Sequence, residues 1–423
     1  MTRTISLPYG SACLPLDIPE NTEARIDVIL PPQPKACHDP FKLVSENIHN
    51  PICGTHLTAY RHVKKVAIAI NDKTRPVPHH YLLPPLLECL KEMGIASTGV
   101  KLIIATGTHS PMKRQDFSLV VPQAIEEKYE IICHDCEDQK NLVFLGTTSR
   151  GTPVYINKHF HDADLKIAVG NIEPHHFMGF SGGNKTVAIG LAGRTTIETN
   201  HKMLLDPQSC IATYETNPMR MDVEEIGRMV GVHFALNAIL NNEKQIVQVL
   251  FGSPEEVMKV GTVISKKSCQ VKTTGQYDLV IASAGGYPKD INLYQAQKAL
   301  TNASLIVRES GVIVLVASCS EGSGSAGYEE FMQGIQKTED IFTKFSAQGF
   351  QIGPHKALLF GKVLKRAKVI LVSQIPDELV SKFLLIPARN PQDAFNMALR
   401  ILQKLYPRVA IMPYATVTVP DVT

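Results

Sequence analysis

Val66-Ala67-Ile68-Ala69-Ile70, running into Asn71-Asp72-Lys73-Thr74-Arg75-Pro76-Val77-Pro78, decides the fold. Five apolar residues without polar alternation make a strand buried on both faces, the kind found in parallel sheets. Further along, residues 81–93 carry helical apolar spacing and stop at Gly94. Pro84 and Pro85 are tolerated only in a helix's first turn, so its start is expected to lie later than residue 81. Strand-length runs recur at 100–105, 131–134 and 165–170. Two more, 232–240 and 246–251, flank Asn241-Asn242, a hairpin turn. Short apolar runs alternating with amphipathic segments are the pattern of βαβ units.

A second series of the same kind begins near residue 277. Strands are expected at 278–283, 311–317, 369–372 and 409–412, with helices at 293–300 and 393–404. The polar stretch 265–275 follows a helical 255–263 and is the natural cut. The fold class is therefore α/β: two α/β domains with largely parallel sheets, at 1–270 and 271–423. The Pro-rich first sixty residues are expected to wrap the first domain irregularly. In open α/β sheets ligands sit beyond the carboxyl ends of the strands, so the residues just after each strand come first.

The chain has 423 residues, enough for two or three domains without a disulfide or metal staple. It is 44% hydrophobic and 20% charged, as a globular enzyme is, with a net charge of 43 − 40 = +3. No basic run exceeds a pair such as Lys64-Lys65, which argues against nucleic acid or an anionic membrane as partner. Nine cysteines without framework spacing fit free thiols in a reducing compartment. Met1 to Gly10 has no signal-peptide apolar stretch, and no apolar run approaches the ~18 residues of a membrane span. The expected setting is cytoplasmic.

At the first strand's exit, Pro76 and Pro78 stiffen the turn that presents Asp72, Thr74 and Arg75. Arg75 suits a carboxylate or phosphate, and an ion pair with Asp72 is the competing reading. After 100–105, Thr106-Gly107-Thr108-His109-Ser110 offers His109 as an acid or base, or as an ordinary surface histidine. The stretch after 165–170 holds His175-His176 and then Gly179-Phe180-Ser181-Gly182-Gly183-Asn184-Lys185-Thr186. A Gly-Gly pair opening a helix exposes N–H groups to an anion, unless it is simply a flexible loop. The run from Gly179 nearly matches a nucleotide-phosphate loop but has Asn184 where the second glycine belongs, which counts against ATP hydrolysis.

His201, in Glu198-Thr199-Asn200-His201-Lys202, is alone, and one histidine is a weak metal signal. Cys133-His134-Asp135-Cys136 has no second pair and reads against a metal site. His79-His80 are read as water-facing residues near a helix start. In the second series, Gly285-Gly286-Tyr287-Pro288 leads to Asp290 and to Tyr294, Gln295 and Lys298, spaced to share a helix face. A solvated polar face is the competing reading. Residues 318–327, with Gly322, Gly324 and Gly327 beside Glu321, resemble a mobile ligand-closing loop.

Taken together, these segments resemble the nickel-pincer-nucleotide-dependent lactate racemase family across roughly residues 65 to 320. The resemblance is carried by Asp72 to Pro78, Ala105 to His109, His175 through Lys185, Asn200-His201, and Gly285 through Lys298. It implies a pyridinium mononucleotide pincer tethered to Lys185, with nickel completed by His201; square-planar geometry suits Ni(II). The nucleotide phosphate would lie at Gly182-Gly183 or at the turn of Asp72, Thr74 and Arg75. His109 and His175 would be the two bases of a 2-hydroxy acid racemase or epimerase that works by proton-coupled hydride transfer. Arg75, Tyr294, Gln295 and Lys298 would hold the substrate 2-hydroxycarboxylate, at an active site between the domains. Dedicated cofactor-biosynthesis enzymes are implied as partners. The chain departs from the family pattern at Thr108, where an aromatic is usual, at Ser110, where Arg is usual, and at Lys73, often His. These departures bear on which hydroxy acid is used.

Two alternatives stand beside this reading. A NAD-dependent 2-hydroxyacid dehydrogenase needs Gly-x-Gly-x-x-Gly after a strand, and no such run opens a helix here. A non-catalytic anion- or cofactor-binding protein would have no need of both His109 and His175.

Overall fold

The computed structural model describes residues 2–19, 24–52, 54–75, 77–350 and 353–422. Pro76, one of the two prolines read as stiffening the first strand's exit, lies outside the described residues. The chain divides into two units, Gln33–Ser268 and a second made of Met1–Pro32 with Cys269–Thr423. Among the described residues no helix is long and apolar enough to cross a membrane.

The unit Gln33–Ser268 is built on a six-stranded sheet. Its order is Ile246–Gly252, Phe234–Leu240, Leu165–Asn171, Val66–Asn71, Val100–Ala105, Glu130–Cys133. All neighbours are parallel except the first two, which form the expected hairpin. Val66 to Ile70 are all buried, as the unbroken apolar run requires. The chain passes from Val66–Asn71 outward to Val100–Ala105 and Glu130–Cys133, then returns to Leu165–Asn171 on the other side. The direction therefore reverses between Val66–Asn71 and Leu165–Asn171, the crevice where open sheets bind ligands.

The helix over this sheet spans His79–Glu92 and carries Pro84 and Pro85 in its second turn, earlier in its start than expected. Leu82, Leu83, Leu86, Leu87 and Leu90 are buried in the core. At ~1.5–3 kcal/mol each they outweigh the ~3 kcal/mol of an interior proline. His79 is not water-facing: it is buried, and its Nδ1 donates to the Val120 carbonyl at 3.0 Å. His80 is exposed.

The second unit has its own six-stranded sheet, wholly parallel, ordered Ile386–Ala388, Ala367–Val372, Val307–Val316, Tyr277–Ser283, Arg408–Met412, Arg25–Val28. The first 32 residues thus belong to this unit rather than to an N-terminal domain ending at 270. Nor are residues 2–19 irregular. Thr2–Tyr9 and Ala12–Pro19 form an antiparallel ribbon whose Ile5, Leu7, Leu16 and Ile18 are buried in period two. Pro8 and Pro15 sit in this two-stranded ribbon, where a missing N–H is tolerated. The polar stretch 265–275 does contain the division between the units, at Ser268 and Cys269, but it is helix and strand rather than a loop: Pro254–Cys269 runs on into Gln270–Thr273.

Candidate active site

Three strand ends in the unit Gln33–Ser268 carry the candidate residues. Beyond Val66–Asn71, the Asp72 carboxylate is buried and accepts from the Thr74 hydroxyl at 2.6 Å and the Thr74 N–H at 3.1 Å. Its other oxygen lies 2.7 Å from Nδ1 of His109, which follows Val100–Ala105. Burial pushes the Asp72 carboxyl up, but the bonds from His109 and Thr74 outweigh it and hold the group below the usual carboxylate range. A carboxylate only accepts, so His109 carries its hydrogen on Nδ1 and its lone pair on Nε2. Asp72 is thus engaged by His109 and not by Arg75. Lys73 pairs with Asp116 at 3.2 Å.

The third strand, Leu165–Asn171, leads into a tight hairpin of Pro174–His175 against Gly179–Phe180. Ser181 closes it, its hydroxyl donating to the Asn171 carbonyl at 2.8 Å and accepting from the Glu173 N–H at 3.0 Å. The Met178 N–H donates to Nδ1 of His175 at 3.3 Å, which puts the His175 hydrogen on Nε2. The two candidate bases therefore rest in opposite tautomers. Burial, then the charges of Lys185, His176, Arg75 and His201, hold His175 well below the ordinary histidine range.

Lys185 opens the four-residue helix Lys185–Ala188. Burial, followed by the nearby Arg75 and Arg220 guanidiniums, brings its ammonium down to about 7. His201 sits on the helix Arg194–Lys202 and donates from Nδ1 to the Ile197 carbonyl at 2.8 Å, which places its lone pair on Nε2. Burial and the Lys185 charge lower it to about 4, so it is neutral at ordinary pH. The Phe177 ring stands edge-on to both His175, at 4.6 Å, and His201, at 5.6 Å. Arg75, His175, Lys185 and His201 thus form one electrostatic neighbourhood, in which Arg75 comes from about a hundred residues earlier in the chain. Among the described residues no three His, Cys, Asp or Glu side chains are grouped to hold a metal. A metal on His201 would take its other donors from a non-protein ligand.

The Gly-Gly segment differs from an open phosphate cradle. The Gly183 N–H is taken by Asn237 Oδ1 at 2.7 Å. Gly182 and Gly183 have φ of +81° and +55°, and both are packed: a Cβ would stand 2.7 Å from Ile172 and 2.4 Å from Met258. Asn184, where a phosphate loop has glycine, is buried and donates to Glu224 at 2.6 Å. Glu224 also accepts from Arg220 at 2.7 Å, and Arg220 donates to the carbonyls of Phe180 and Gly182. This buried pair braces the Lys185 loop. The sequence signal was the i, i+4 spacing of Arg220 and Glu224, which reads equally well as a surface pair.

A second brace went unread. Asp222, fully buried, accepts from Thr148 at 2.6 Å, Thr152 at 2.9 Å and Asn200 at 2.9 Å. Asn200 precedes His201, so this carboxylate anchors the helix that carries it. His134 is also structural. Its Nε2 donates to the Ala192 carbonyl at 3.0 Å, and Asn157 reaches its Nδ1 at 3.2 Å.

In the other unit, Tyr294, Gln295 and Lys298 are half-buried on the helix Leu293–Ser304, capped by Asn292. Residues 318–327, read as a mobile loop, are fastened to that helix's start: Gly322 and Ser323 carbonyls accept from the N–H groups of Leu293 and Tyr294. Asp290 is buried and accepts from the N–H groups of Gly10 at 2.6 Å and Ser318 at 3.0 Å, a backbone clamp.

Similarity to known proteins runs through both units. Residues 9–212 match the family model of the lactate racemase N-terminal domain, and residues 272–419 that of the lactate racemase C-terminal domain. The chain is 30% identical to a lactate racemase of Thermoanaerobacterium thermosaccharolyticum over 93% of this chain and 94% of that one. It is 29% identical to a lactate racemase of Lactiplantibacillus plantarum over the same shares. The solved structure of the Thermoanaerobacterium apoprotein superposes with a TM-score of 0.90 at 27% identity, covering 99% of this chain and all of that one.

Proposed function

This chain belongs to the lactate racemase family and is an isomerase, and from that premise we propose that it interconverts the enantiomers of lactate or a close 2-hydroxycarboxylate. The family implies a nickel cofactor. We assign a nickel pincer nucleotide to this chain, joined to Lys185, with His201 as the protein's ligand to nickel. The observation that carries the assignment is that His201, beside Lys185, commits its Nδ1–H to the Ile197 carbonyl at 2.8 Å and so holds its lone pair on Nε2, while burial and neighbouring guanidiniums favour the unprotonated Lys185 amine. Acyl attachment needs an unprotonated amine, and metal ligation an unprotonated ring nitrogen. Both conditions fit this group.

When bound, the group supplies an acceptor that takes the substrate's α-hydrogen as hydride and returns it. The chain's own residues manage the proton. His109 takes the substrate hydroxyl proton at Nε2, and the Asp72 carboxylate holds the ring and balances the charge it gains. We assign His175 as the second base; its ring rests with the hydrogen on Nε2. To act as base for the opposite enantiomer it must shift that hydrogen to Nδ1 and give up the Met178 bond. Arg75 supplies a planar fork for the carboxylate, and Asp72 and Thr74 shape the turn that presents it. We also assign Tyr294, Gln295 and Lys298 to the substrate. The cofactor would be delivered by its own biosynthetic enzymes.

The test is intact mass, nickel content and lactate racemisation of the chain co-expressed with those enzymes. The expected result is an adduct on Lys185, about one nickel per chain, and loss of optical activity from L-lactate. An unmodified, nickel-free chain, beside a relative that loads under the same conditions, would overturn it.

A further inference from the structure

Lys356 is a buried lysine to which the reading above gives no role. It lies on the helix Pro354–Leu364 and is only 4% exposed. Its Nζ donates to Gln297 Oε1 at 3.1 Å and stands 4.2 Å from the centroid of the Tyr294 ring. Among the described residues no carboxylate pairs with it. A buried ammonium without a counter-ion is costly, and an aromatic face with one amide oxygen offsets only part of that cost. Its placement is therefore a structural expense at the helix that carries Tyr294 and Lys298.

We propose that Lys356 is a positioning residue for the substrate face of this unit: it fixes the Tyr294 ring from behind and adds positive potential beside Lys298, without touching substrate. This rests on the assignment of Tyr294 and Lys298 to the substrate. Gln297 is itself held, donating to Thr301, so the amide that receives Lys356 is rigid. The His355 ring stands edge-on to Tyr294 at 6.0 Å, so two consecutive residues of one helix meet the phenol ring.

Lys356 is drawn down to about 7 by its burial and then by the charge of Lys298. The titratable groups near it are Lys298 and Tyr294 on the helix Leu293–Ser304 and His355 on its own. The other packed helices, Ala326–Met332 and Thr338–Gln348, bring Glu329, which accepts from Ser323, Tyr328, and Lys344, which donates to the carbonyls of Phe331 and Gln333. Lys298 is the charge that acts on Lys356. As pH rises through 7 the Lys356 ammonium is lost, and the positive potential with it.

The experiment uses the cofactor-loaded full chain with Lys356→Met and Lys356→Arg. A charge removed beside the carboxylate site should raise KM for lactate about tenfold at pH 6.5, leave kcat within about threefold, and have little effect above pH 8. Lys356→Arg should restore most of the affinity and flatten its pH dependence. A second readout needs no activity: the ring-carbon NMR signal of labelled Tyr294, assigned by its absence in Tyr294→Phe. It should inflect near pH 7, and Lys356→Met should abolish that inflection. Unchanged KM, or an inflection that survives Lys356→Met, overturns the inference. If the unaltered loaded chain does not racemise lactate, the substrate reading fails, and the tyrosine signal still decides whether Lys356 acts on Tyr294.

Discussion

The Asp72 carboxylate meets Nδ1 of His109 at 2.7 Å, and this bond joins the ends of two adjacent parallel strands. Register explains it: Asn71 lies beside Ala105, so the residues leaving those strands start level. The carboxylate fixes which nitrogen of His109 is basic. Asp72→Asn keeps shape and bonding capacity but allows the amide to donate, which favours the wrong tautomer. Initial racemisation rates should fall about 10²–10⁴-fold with cofactor still bound, as should those of His109→Ala and His175→Ala. Full activity in Asp72→Asn would show that the bond has no part in catalysis.

Asn184 separates this loop from a nucleotide-phosphate loop, and the structure gives the reason. Its amide is inserted between Glu224 and Gly227, where a Cβ on Gly227 would stand 2.1 Å from Asn184. Asn184→Gly should restore the motif on paper and yield no ATP hydrolysis. It should instead destabilise the chain by about 1–3 kcal/mol, because Glu224 loses a buried donor. Thermal unfolding and a phosphate-release assay together check both halves. ATP turnover by the variant would mean that the asparagine alone had silenced a phosphate loop.

Much of this was legible in the sequence, for specific reasons. Val66 to Ile70 declared a buried strand because five adjacent apolar residues leave no solvent face. The candidate stretches were legible because a parallel sheet delivers strand ends to one edge, which singled out Arg75, His109 and the segment holding His175, whereas the roles given to the two histidines came from the family resemblance. What escaped was whatever depends on tertiary burial. Arg220 and Glu224 have the spacing of an exposed helix pair, and only packing makes them the brace of the loop that leads to Lys185. The ribbon Thr2–Tyr9 with Ala12–Pro19 was hidden by its prolines, although Ile5 and Leu7 carried the period-two signal. Pro84 and Pro85 misled in the opposite direction, since leucine burial holds a helix that local propensity would start later.

Asp222 ties His201 to the core through Asn200, Thr148 and Thr152. Asp222→Ala leaves three buried donors without an acceptor, so unfolding stability should drop by at least about 3 kcal/mol. His201→Ala, by contrast, removes only a half-buried ring and should unfold close to the unaltered chain. Both should fail to retain nickel after co-expression, which metal analysis on folded protein would read. Nickel retained in His201→Ala would remove that residue as the ligand. A normal melting temperature in Asp222→Ala would remove the carboxylate as the anchor of its helix.

His79 predicts how the fold responds to acid. Burial brings it to about 4, from an ordinary value of 6.5, and its Nδ1–H is committed to the Val120 carbonyl. The folded chain therefore keeps the ring neutral over a range in which the unfolded chain protonates it. Stability from this group is complete above pH 6.5, falls as pH drops from 6.5 to 4, and is constant below that. Integrated over that window the loss is roughly 3 kcal/mol. His79→Asn, whose amide can still donate to Val120, should remove the slope. Urea unfolding at pH 7, 5.5 and 4.5 would show the unaltered chain losing stability faster than the variant. Parallel losses in the two proteins would mean that His79 is protonated in the folded state as readily as in the unfolded one, and that other groups set the acid limit.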